Sequence, residues 1–218
     1  MPAPAAILDV DGTLVDDNHQ HALAWHLALR RVGVLVPVWR VHRAVGIGGD
    51  RIVAHLGSEE LERDRGDEVR EHEGEIFDSM KGEIAAVEGA TELVRELGER
   101  GHTVVLASSG DEEDIDGFLD LLGIRDLVDG WITSADVDAS KPEPDLVEVA
   151  LERAGGGPAV MVGDTDWDVI AAKRAGVPAI AVLSGGFPEG VLRDAGAVAV
   201  YDSVDQLRRE LDGSPLAA

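Results

Sequence analysis

Four carboxylates stand within nine positions near the start of the sequence, in the segment AAILDVDGTLVDD (residues 5–17), at Asp9, Asp11, Asp16 and Asp17. Like charges this close repel one another, so a purely structural role is costly unless water, a cation or a basic side chain offsets them. We expect Asp9 and Asp11, which follow an apolar run, to share a compensating cation. Asp16 and Asp17 are expected on the hinge into the next segment, where water suffices.

Polar residues also follow three later apolar runs. Ser108 and Ser109 come at the end of TVVLAS, and Lys141, one of only three lysines, comes a short loop after GWITS. Asp164 ends AVMVGD, and Asp168 lies four residues further on. In a doubly wound parallel sheet, ligands bind at the carboxyl ends of the strands. We therefore expect these side chains to converge with the first two acids on one edge of a sheet.

A set of acids, a hydroxyl and a lysine suits phosphoryl transfer. Carboxylates with water can hold Mg²⁺, a hard ion that takes oxygen ligands. The ion and a lysine ammonium can neutralise a phosphoryl group, whose transfer needs mainly positioning and electrostatic support. One carboxylate can attack phosphorus, and a second can donate a proton to the leaving oxygen and later accept one from water. Gly12 would let the chain turn sharply beside the phosphate.

The elements that must position these residues alternate along most of the chain. Short runs rich in Val, Ile and Ala, without clean polar alternation, indicate strands buried on both faces. Amphipathic segments that mostly close on glycine lie between them and indicate helices. Alternating strands and helices predict an α/β fold with a doubly wound parallel sheet. The predicted strands are 5–10, 103–108, 130–134, 159–164, 179–183 and 197–201, and the predicted helices are 89–101, 111–123, 143–155, 166–176 and 188–196.

The early part of the chain breaks this alternation. Residues 19–33 and 68–87 have helical patterns with no strand between them. We therefore predict an inserted α-helical domain over residues 17–87, and a core made of residues 1–16 and 88–218. The segment after Leu211, DGSPLAA, is expected to fray as chain ends commonly do.

Four motifs in this order resemble those of the haloacid dehalogenase superfamily, in its phosphatase and phosphomutase branch. They are DVDGTLVD (9–16), the serine after the second strand, SKPEPD (140–145) and GDTDWD (163–168). The insertion also falls where that branch carries its helical cap. The resemblance covers nearly the whole chain and implies a Rossmann-like core of the haloacid dehalogenase type with an inserted cap.

The resemblance implies a role for each matching residue. Asp9 would be the nucleophile and Asp11 the general acid and base. Mg²⁺ would be held by the Asp9 side chain, the Asp11 main-chain carbonyl and Asp164. Asp168 would support the metal through water, although it could also be only a first-turn helix acid.

The same resemblance implies a phosphate-binding set at the strand ends. Ser108 would hydrogen-bond the transferring phosphoryl oxygens, with Ser109 as the alternative in register, and Gly12 would lie beside the phosphate. Lys141 would orient and charge-balance the nucleophile. The dehalogenases of the superfamily lack the second acid of the first motif, so its presence at Asp11 favours phosphoryl over halide chemistry.

Residues of the predicted cap are candidates for substrate recognition. VGIGGDR (45–51) resembles the substrate loop of such caps, with Gly48 in the loop and Arg51 placed to meet a distal anionic group. A helix-start arginine beside a glycine turn is the alternative. His21 and Trp25 lie one helical turn apart, where related enzymes carry residues facing the cleft, although packing alone would also explain them.

Composition excludes several classes of protein. The formal net charge of −24 argues against nucleic acid and anionic membrane surfaces as partners. There is no cysteine, so disulfides and thiolate metal ligands are absent, and the early charge at Asp9 argues against a signal peptide. These features favour the cytoplasm. Nothing in the sequence indicates an oligomeric state.

The sequence as a whole predicts a Mg²⁺-dependent phosphomonoester hydrolase that acts on a small phosphorylated metabolite through an aspartyl-phosphate. One alternative is a phosphomutase of the β-phosphoglucomutase kind, which passes the phosphoryl group to a sugar hydroxyl. A second is a homologue that binds metal and phosphate without turnover. The sequence does not identify the substrate.

Overall fold

A six-stranded parallel sheet forms the centre of the computed structural model, which describes residues 3–217. Its strands lie in the order β5-β4-β1-β6-β7-β8, and the two remaining strands, β2 and β3, form a separate antiparallel ribbon. In chain order the strands are β1 (Ala5–Leu8), β2 (Val15–Asp16), β3 (Ala85–Ala86), β4 (Val104–Ala107), β5 (Gly130–Ile132), β6 (Ala159–Gly163), β7 (Ala179–Val182) and β8 (Ala199–Tyr201).

Ten α-helices accompany the strands within residues 3–217. None of them combines the length and the hydropathy that crossing a bilayer requires. In chain order they are α1 (Asn18–Arg31), α2 (Val38–His42), α3 (Gly49–Leu56), α4 (Glu59–Asp78), α5 (Ala90–Glu99), α6 (Glu112–Leu122), α7 (Asp145–Arg153), α8 (Asp166–Arg174), α9 (Glu189–Ala195) and α10 (Val204–Arg209).

Both faces of the sheet are covered, as the apolar strand sequences predict. In β1, Ala6 and Leu8 belong to one buried cluster, and Ala5 and Ile7 to another on the opposite face. Helices α5, α6 and α10 supply apolar side chains to the first cluster, and α7, α8 and α9 to the second. The predicted doubly wound α/β fold is confirmed.

Strand β1 lies in the middle of the sheet, and the strand order extends from it in both directions. Its neighbours are β4 on one side and β6 on the other, and all three strands are parallel. The chain therefore leaves the carboxyl end of β1 beside two strands whose connections diverge, which leaves a crevice there. This topology makes the carboxyl end of β1 the expected position for a ligand site.

In the sequence, helices α1 to α4 come between β2 and β3. They pack around an apolar cluster of their own, which includes Trp25, Leu29, Val53 and Val69. The prediction of two helices, 19–33 and 68–87, was incomplete. Helices α2 and α3 were not predicted, and the boundaries 17–87 of the inserted domain stay a prediction.

The predicted helix 68–87 was wrong at both ends. Helix α4 begins earlier, where the Ser58 side chain accepts a hydrogen bond from Leu61 N. Few apolar residues mark its first half, so helical periodicity did not reveal it. Residues after Asp78 instead form a short 3₁₀ turn and β3, because Ala86 pairs with Val15 in the ribbon.

The end of the chain packs against the core instead of fraying. Leu211 and Leu216 are each 1% exposed and belong to the cluster that also contains Leu207 of α10, a helix that was not predicted. The expectation of a frayed tail was therefore wrong for residues 212–217. Two leucines in a short polar segment carry too weak a pattern to predict this burial.

We expect Leu216→Ala to lower the free energy of unfolding by about 2–5 kcal/mol, the usual cost of removing a buried leucine side chain. Leu35→Ala is the matched control because Leu35 is 76% exposed, and it should change stability by less than about 0.5 kcal/mol. Urea unfolding followed by circular dichroism measures both. Equal effects of the two substitutions would contradict the packed position of residue 216.

Candidate active site

Side chains from three neighbouring strand ends meet at the carboxyl edge of the sheet. Asp9 follows β1, Ser108 follows β4 and Asp164 follows β6. All three are buried, and the loop after β5 brings in Lys141, which is 1% exposed. The structure thus brings together the residues that the sequence placed at separate strand ends.

Lys141 makes the central ion pairs of the site. Its ammonium contacts Asp9 Oδ1, lies 2.7 Å from Asp168 Oδ1 and donates to the carbonyl oxygen of Ala107 at 3.2 Å. Burial lowers the pKa of Lys141, but Asp168 and Asp9 outweigh it and raise that pKa above its usual range. The lysine therefore stays positively charged. It and its two carboxylate partners offset the cost that burial imposes on each unpaired charge.

Asp168 is a first-turn acid of α8, and it also contacts Lys141. Its Oδ2 accepts hydrogen bonds from Thr165 N at 3.1 Å and Thr165 Oγ1 at 2.6 Å, which close a capping box at the start of α8. Its Oδ1 faces Lys141. The helix start therefore fixes the carboxylate that holds the lysine.

Two neutral side chains hold Asp164. Thr13 Oγ1 donates to Asp164 Oδ1 at 2.9 Å and lies 3.2 Å from Asp9 Oδ2. Asn18 Nδ2 donates to Asp164 Oδ2 at 2.7 Å. A β-carbon at Gly185 would overlap Asp164 Oδ2, so the glycine lets the loop after β7 close over this carboxylate.

The buried acids carry more negative charge than Lys141 balances. Burial and the nearby Asp168 raise the pKa of Asp9, against the effect of Lys141. Burial and Asp168 also raise the pKa of Asp164 to about 7, although hydrogen bonds from Asn18 and Thr13 oppose this. Carboxylate oxygens of Asp9, Asp164 and Asp168 lie within 4.8 Å of one another. This donor set fits a hard divalent cation, which would stabilise the ionised acids.

Asp11 lies at the border of the buried site, with its side chain 19% exposed. Ser108 Oγ donates to Asp11 Oδ2 at 2.7 Å and accepts from Gly110 N at 2.9 Å. Ser108 is fully buried, whereas Ser109 lines the cleft described below. In this structure Ser108 therefore holds Asp11, whereas the buried Ser109 Oγ has no hydrogen-bond partner within residues 3–217.

Gly12 and Asp17 shape the loop after β1. Gly12 has a φ of 72°, and a β-carbon there would lie 2.5 Å from Asp164 Oδ2. Its N–H donates to Val15 O and to Asp17 Oδ1 at 3.0 Å. The expectation that Asp17 lies where water suffices was wrong, because Asp17 is fully buried and this N–H draws it inward. Burial raises the pKa of Asp17, while Asp16 is exposed as expected.

His21 reaches the site from α1. Its Nδ1 lies 3.1 Å from Glu73 Oε1, and its Nε2 lies 4.0 Å from Asp11 Oδ1. The ring stacks on Phe77 at a centroid distance of 3.8 Å. Burial lowers the pKa of His21, but Glu73, Asp17 and Asp11 together raise it to about 9. The imidazolium therefore places a positive charge beside Asp11 at neutral pH.

A cleft of about 600 Å³ opens between the carboxyl edge of the sheet and helices α1, α3 and α4. Asp9, Asp11 and Lys141 line one side, and His21 and Trp25 line the other.

Arg51 and Gly48 lie outside this lining. The structure does not bring the Arg51 side chain into the cleft, because its guanidinium bonds Glu143 at 3.1 Å and ties α3 to the loop before α7. Gly48 packs against Ser140, where a β-carbon would collide, and its N–H lies 3.5 Å from Lys141 O.

Sequence reasoning did not single out Asn18, Glu73 and Arg70. Asn18 is the first residue of α1, two residues after the first motif, and its short amide reaches back to Asp164. Glu73 and Arg70 line the cleft from α4, within a helix so rich in charge that no single residue stands out. A prediction that α4 faces the strand ends would have been needed to find them.

Comparison with known proteins places the chain in a family. The sequence profile of haloacid dehalogenase-like hydrolases matches residues 3–176. This chain belongs to that family.

Individual relatives of this haloacid dehalogenase-like hydrolase span nearly the same length. A hydrolase from Pseudomonas syringae has a crystal structure that superposes with a TM-score of 0.91, at 30% identity, covering 96% of this chain and 98% of that one. A phosphoglycolate phosphatase of Mesorhizobium japonicum is 27% identical over 97% of this chain and 96% of its own. A validoxylamine A 7′-phosphate phosphatase of Streptomyces hygroscopicus subsp. limoneus is 27% identical over 79% of this chain and 82% of its own.

We expect Asp164→Asn to change how the stability of the metal-free protein depends on pH. The pKa of Asp164 is about 7 in the folded protein against an ordinary value of 3.8. Between about pH 4 and pH 7, the Asp164 carboxyl group is therefore protonated in the folded protein and ionised in the unfolded chain. As a result, the free energy of unfolding falls as pH rises from about 4 to about 7, by up to about 1.4 kcal/mol per pH unit.

Asparagine does not titrate, so the contribution of Asp164 to the fall in the free energy of unfolding with rising pH disappears in the variant. Urea unfolding in EDTA between about pH 4.5 and 7.5 compares the slopes, with Asp16→Asn as the exposed control that keeps the wild-type slope. Parallel profiles for wild type and Asp164→Asn would contradict the raised pKa.

Proposed function

We propose that this chain is a Mg²⁺-dependent phosphomonoester hydrolase that acts on a small phosphorylated metabolite through an aspartyl-phosphate on Asp9. The observation that carries the proposal is the placement of two carboxylates with different surroundings at one strand end. Asp9 is buried against Lys141, and Asp11 is partly exposed and held by Ser108. Both face the cleft.

Asp9 suits the role of nucleophile. Lys141 contacts its Oδ1, which fixes the carboxylate and favours its ionised form. In the first step an Asp9 oxygen forms a bond to phosphorus, while the bond between phosphorus and the leaving alkoxide oxygen breaks. The lysine charge then lies beside the phosphoryl group as it transfers, where fixed positive charge gives most of the catalytic benefit.

Asp11 suits the role of general acid and base. In the first step it donates a proton to the leaving alkoxide. In the second step it accepts a proton from a water molecule that attacks phosphorus, and the bond to Asp9 breaks to release phosphate. Ser108 fixes one oxygen of Asp11, and the other faces His21 across 4.0 Å, so the carboxyl group is oriented from both sides.

The proposed metal ligands are the Asp9 side chain, the Asp164 side chain and the Asp11 main-chain carbonyl, with Asp168 supporting through water. When bound, Mg²⁺ supplies positive charge that offsets these acids and the phosphoryl oxygens. Thr13 and Asn18 orient Asp164 for this role. The phosphate-binding groups proposed beside it are Ser108, Ser109 and Lys141, while Gly12 makes the turn.

The proposed cap, residues 17–87, would select the substrate and exclude bulk water. Helices α1, α3 and α4 form the side of the cleft opposite Asp9. Movement of such a cap would close the site for the first step and admit one water for the second. His21 contributes from the cap, whereas Arg51 and Gly48 support its packing on the core.

Phosphate release from a panel of small phosphomonoesters, with Mg²⁺ and then with EDTA, tests this function. We expect release that requires Mg²⁺ and that Asp9→Asn lowers by at least about a thousandfold, because the nucleophile is lost. Lys141 keeps Asp168 as its partner in the variant, so the protein should stay folded by circular dichroism.

Asp16→Asn is the matched control, since Asp16 lies on β2 with an exposed side chain and should retain activity. A sizeable fraction of activity in Asp9→Asn would remove Asp9 from the nucleophile role. Isomerisation of a hexose phosphate with a bisphosphate activator, without free phosphate, would instead identify a phosphomutase.

A further inference from the structure

The cleft is strongly acidic beyond the residues that react. Eight carboxylates line it, against two permanent cations, Arg70 and Lys141, and one histidine, His21. Besides Asp9 and Asp11, the acids are Asp50, Glu62, Glu73, Asp111, Asp114 and Asp138. A leaving group that extends away from Asp9 must lie among these carboxylates.

Both permanent cations are already engaged. Lys141 is held by Asp9 and Asp168. Arg70 directs both terminal nitrogens to protein acceptors: Nη1 donates to Gly49 O at 3.0 Å and Glu62 Oε2 at 3.1 Å, and Nη2 donates to Glu62 Oε1 at 2.8 Å and Asp67 Oδ1 at 2.9 Å. An anion from a substrate would have to compete with the paired carboxylate of Glu62.

The remaining charges of the lining do not create a site for an anion either. His21 pairs with Glu73 at 3.1 Å. Lys81, which is outside the lining, contacts Asp114, and Arg51 Nε lies 3.7 Å from Asp50 Oδ2. Asp111 caps α6 and Asp138 is exposed. Each of these cations therefore has at least one carboxylate partner, and the lining keeps an excess of negative charge.

The cleft also offers apolar surface and room. Trp25, Val45, Ile47, Ile52 and Val137 contribute to its lining. A volume of about 600 Å³ is within the range of pockets that hold a whole small molecule, and it exceeds what a two-carbon phosphate ester requires. Carboxylate acceptors beside an aromatic ring suit the hydroxyls and C–H faces of a carbohydrate-like ring.

We propose that the substrate is a phosphate ester of a polyhydroxylated, carbohydrate-like alcohol whose leaving group is neutral or bears an amine, and carries no negative charge. The inference rests on the proposed function and specifies its substrate class. Hydroxyls and an ammonium group can donate to Glu62, Glu73 and Asp50, whereas a second anion would meet like charge, which is costly at an interface. The negative charge of the phosphate itself would be offset by Lys141 and by the proposed cation.

Three hexose esters test the proposal: glucosamine 6-phosphate, glucose 6-phosphate and 6-phosphogluconate. Because 6-phosphogluconate is an open chain, glucitol 6-phosphate is its neutral open-chain control, and we expect it to be hydrolysed about as well as glucose 6-phosphate. We expect kcat/KM for 6-phosphogluconate to be at least about tenfold below that for glucose 6-phosphate, and the amine to match or exceed the neutral sugar. The difference should shrink as salt is raised, because screening weakens charge repulsion. Equal or faster turnover of the carboxylate would overturn the inference.

Glu62→Gln provides a second test through Arg70. Loss of the carboxylate that holds both terminal nitrogens leaves the exposed Asp67 as a charged partner of Arg70, so the guanidinium should meet an anion more readily. The ratio of kcat/KM for 6-phosphogluconate to that for glucose 6-phosphate should therefore rise several-fold. Glu59→Gln, an exposed change on the same helix, should leave the ratio unchanged. An unchanged ratio in Glu62→Gln would contradict the assigned role of Arg70.

Failure of the proposed function has a different signature. If no ester, including para-nitrophenyl phosphate, releases phosphate with Mg²⁺, the hydrolase proposal fails. Calorimetric binding of the same three hexose esters then tests the charge inference by itself. Weaker binding of 6-phosphogluconate than of glucose 6-phosphate supports the inference, and tighter or equal binding, or no binding of any of the three, overturns it.

Discussion

The buried ammonium of Lys141 is the interaction on which the site depends. It contacts Asp9 after β1, Asp168 in the first turn of α8 and the last carbonyl of β4, and it comes from the loop after β5. One charge therefore joins the ends of three strands and the start of a helix. A buried lysine without these partners would be strongly destabilising, so folding itself requires that the acids be brought to it.

The acids at this edge nevertheless exceed what one lysine can balance. Asp9, Asp164 and Asp168 are all buried, and the pKa values of Asp9 and Asp164 rise because burial and mutual proximity disfavour their ionised forms. A protein could relieve this cost with neutral residues, but here Thr13, Asn18 and the Thr165 cap hold the carboxylates in place. In the proposed chemistry, a divalent cation would offset this excess charge and that of the phosphoryl group.

The sequence predicted the parts of the fold whose signals are local and repeated. The six buried strands follow from apolar runs, and the convergence of Asp9, Ser108, Lys141 and Asp164 follows from parallel topology at the switch beside β1. In contrast, the first half of α4 and the buried tail at Leu216 carry few apolar residues. Their positions depend on long-range packing, which no local pattern records.

The residues of the site also divide into those with a local sequence signal and those placed by long-range contacts. Residues in contiguous motifs could be found, whereas Asn18, Glu73 and Arg70 act through contacts between distant elements. Asp17 was misplaced because its burial depends on one backbone hydrogen bond from Gly12. Arg51 was expected to meet substrate, but Glu143, far along the chain, holds it outside the cleft. The positions of these side chains depend on hydrogen-bond and ion-pair partners that only the folded chain brings close to them.

The most direct test of the account is to locate the covalent intermediate. The enzyme is mixed with a substrate ester and Mg²⁺, quenched in acid during the first turnover, and reduced with borohydride, which converts an acyl phosphate to the alcohol. Peptide mass mapping then identifies the modified residue. The account predicts homoserine at position 9, dependent on substrate. Homoserine at Asp11 or Asp164, or unmodified protein during rapid phosphate release, would contradict it.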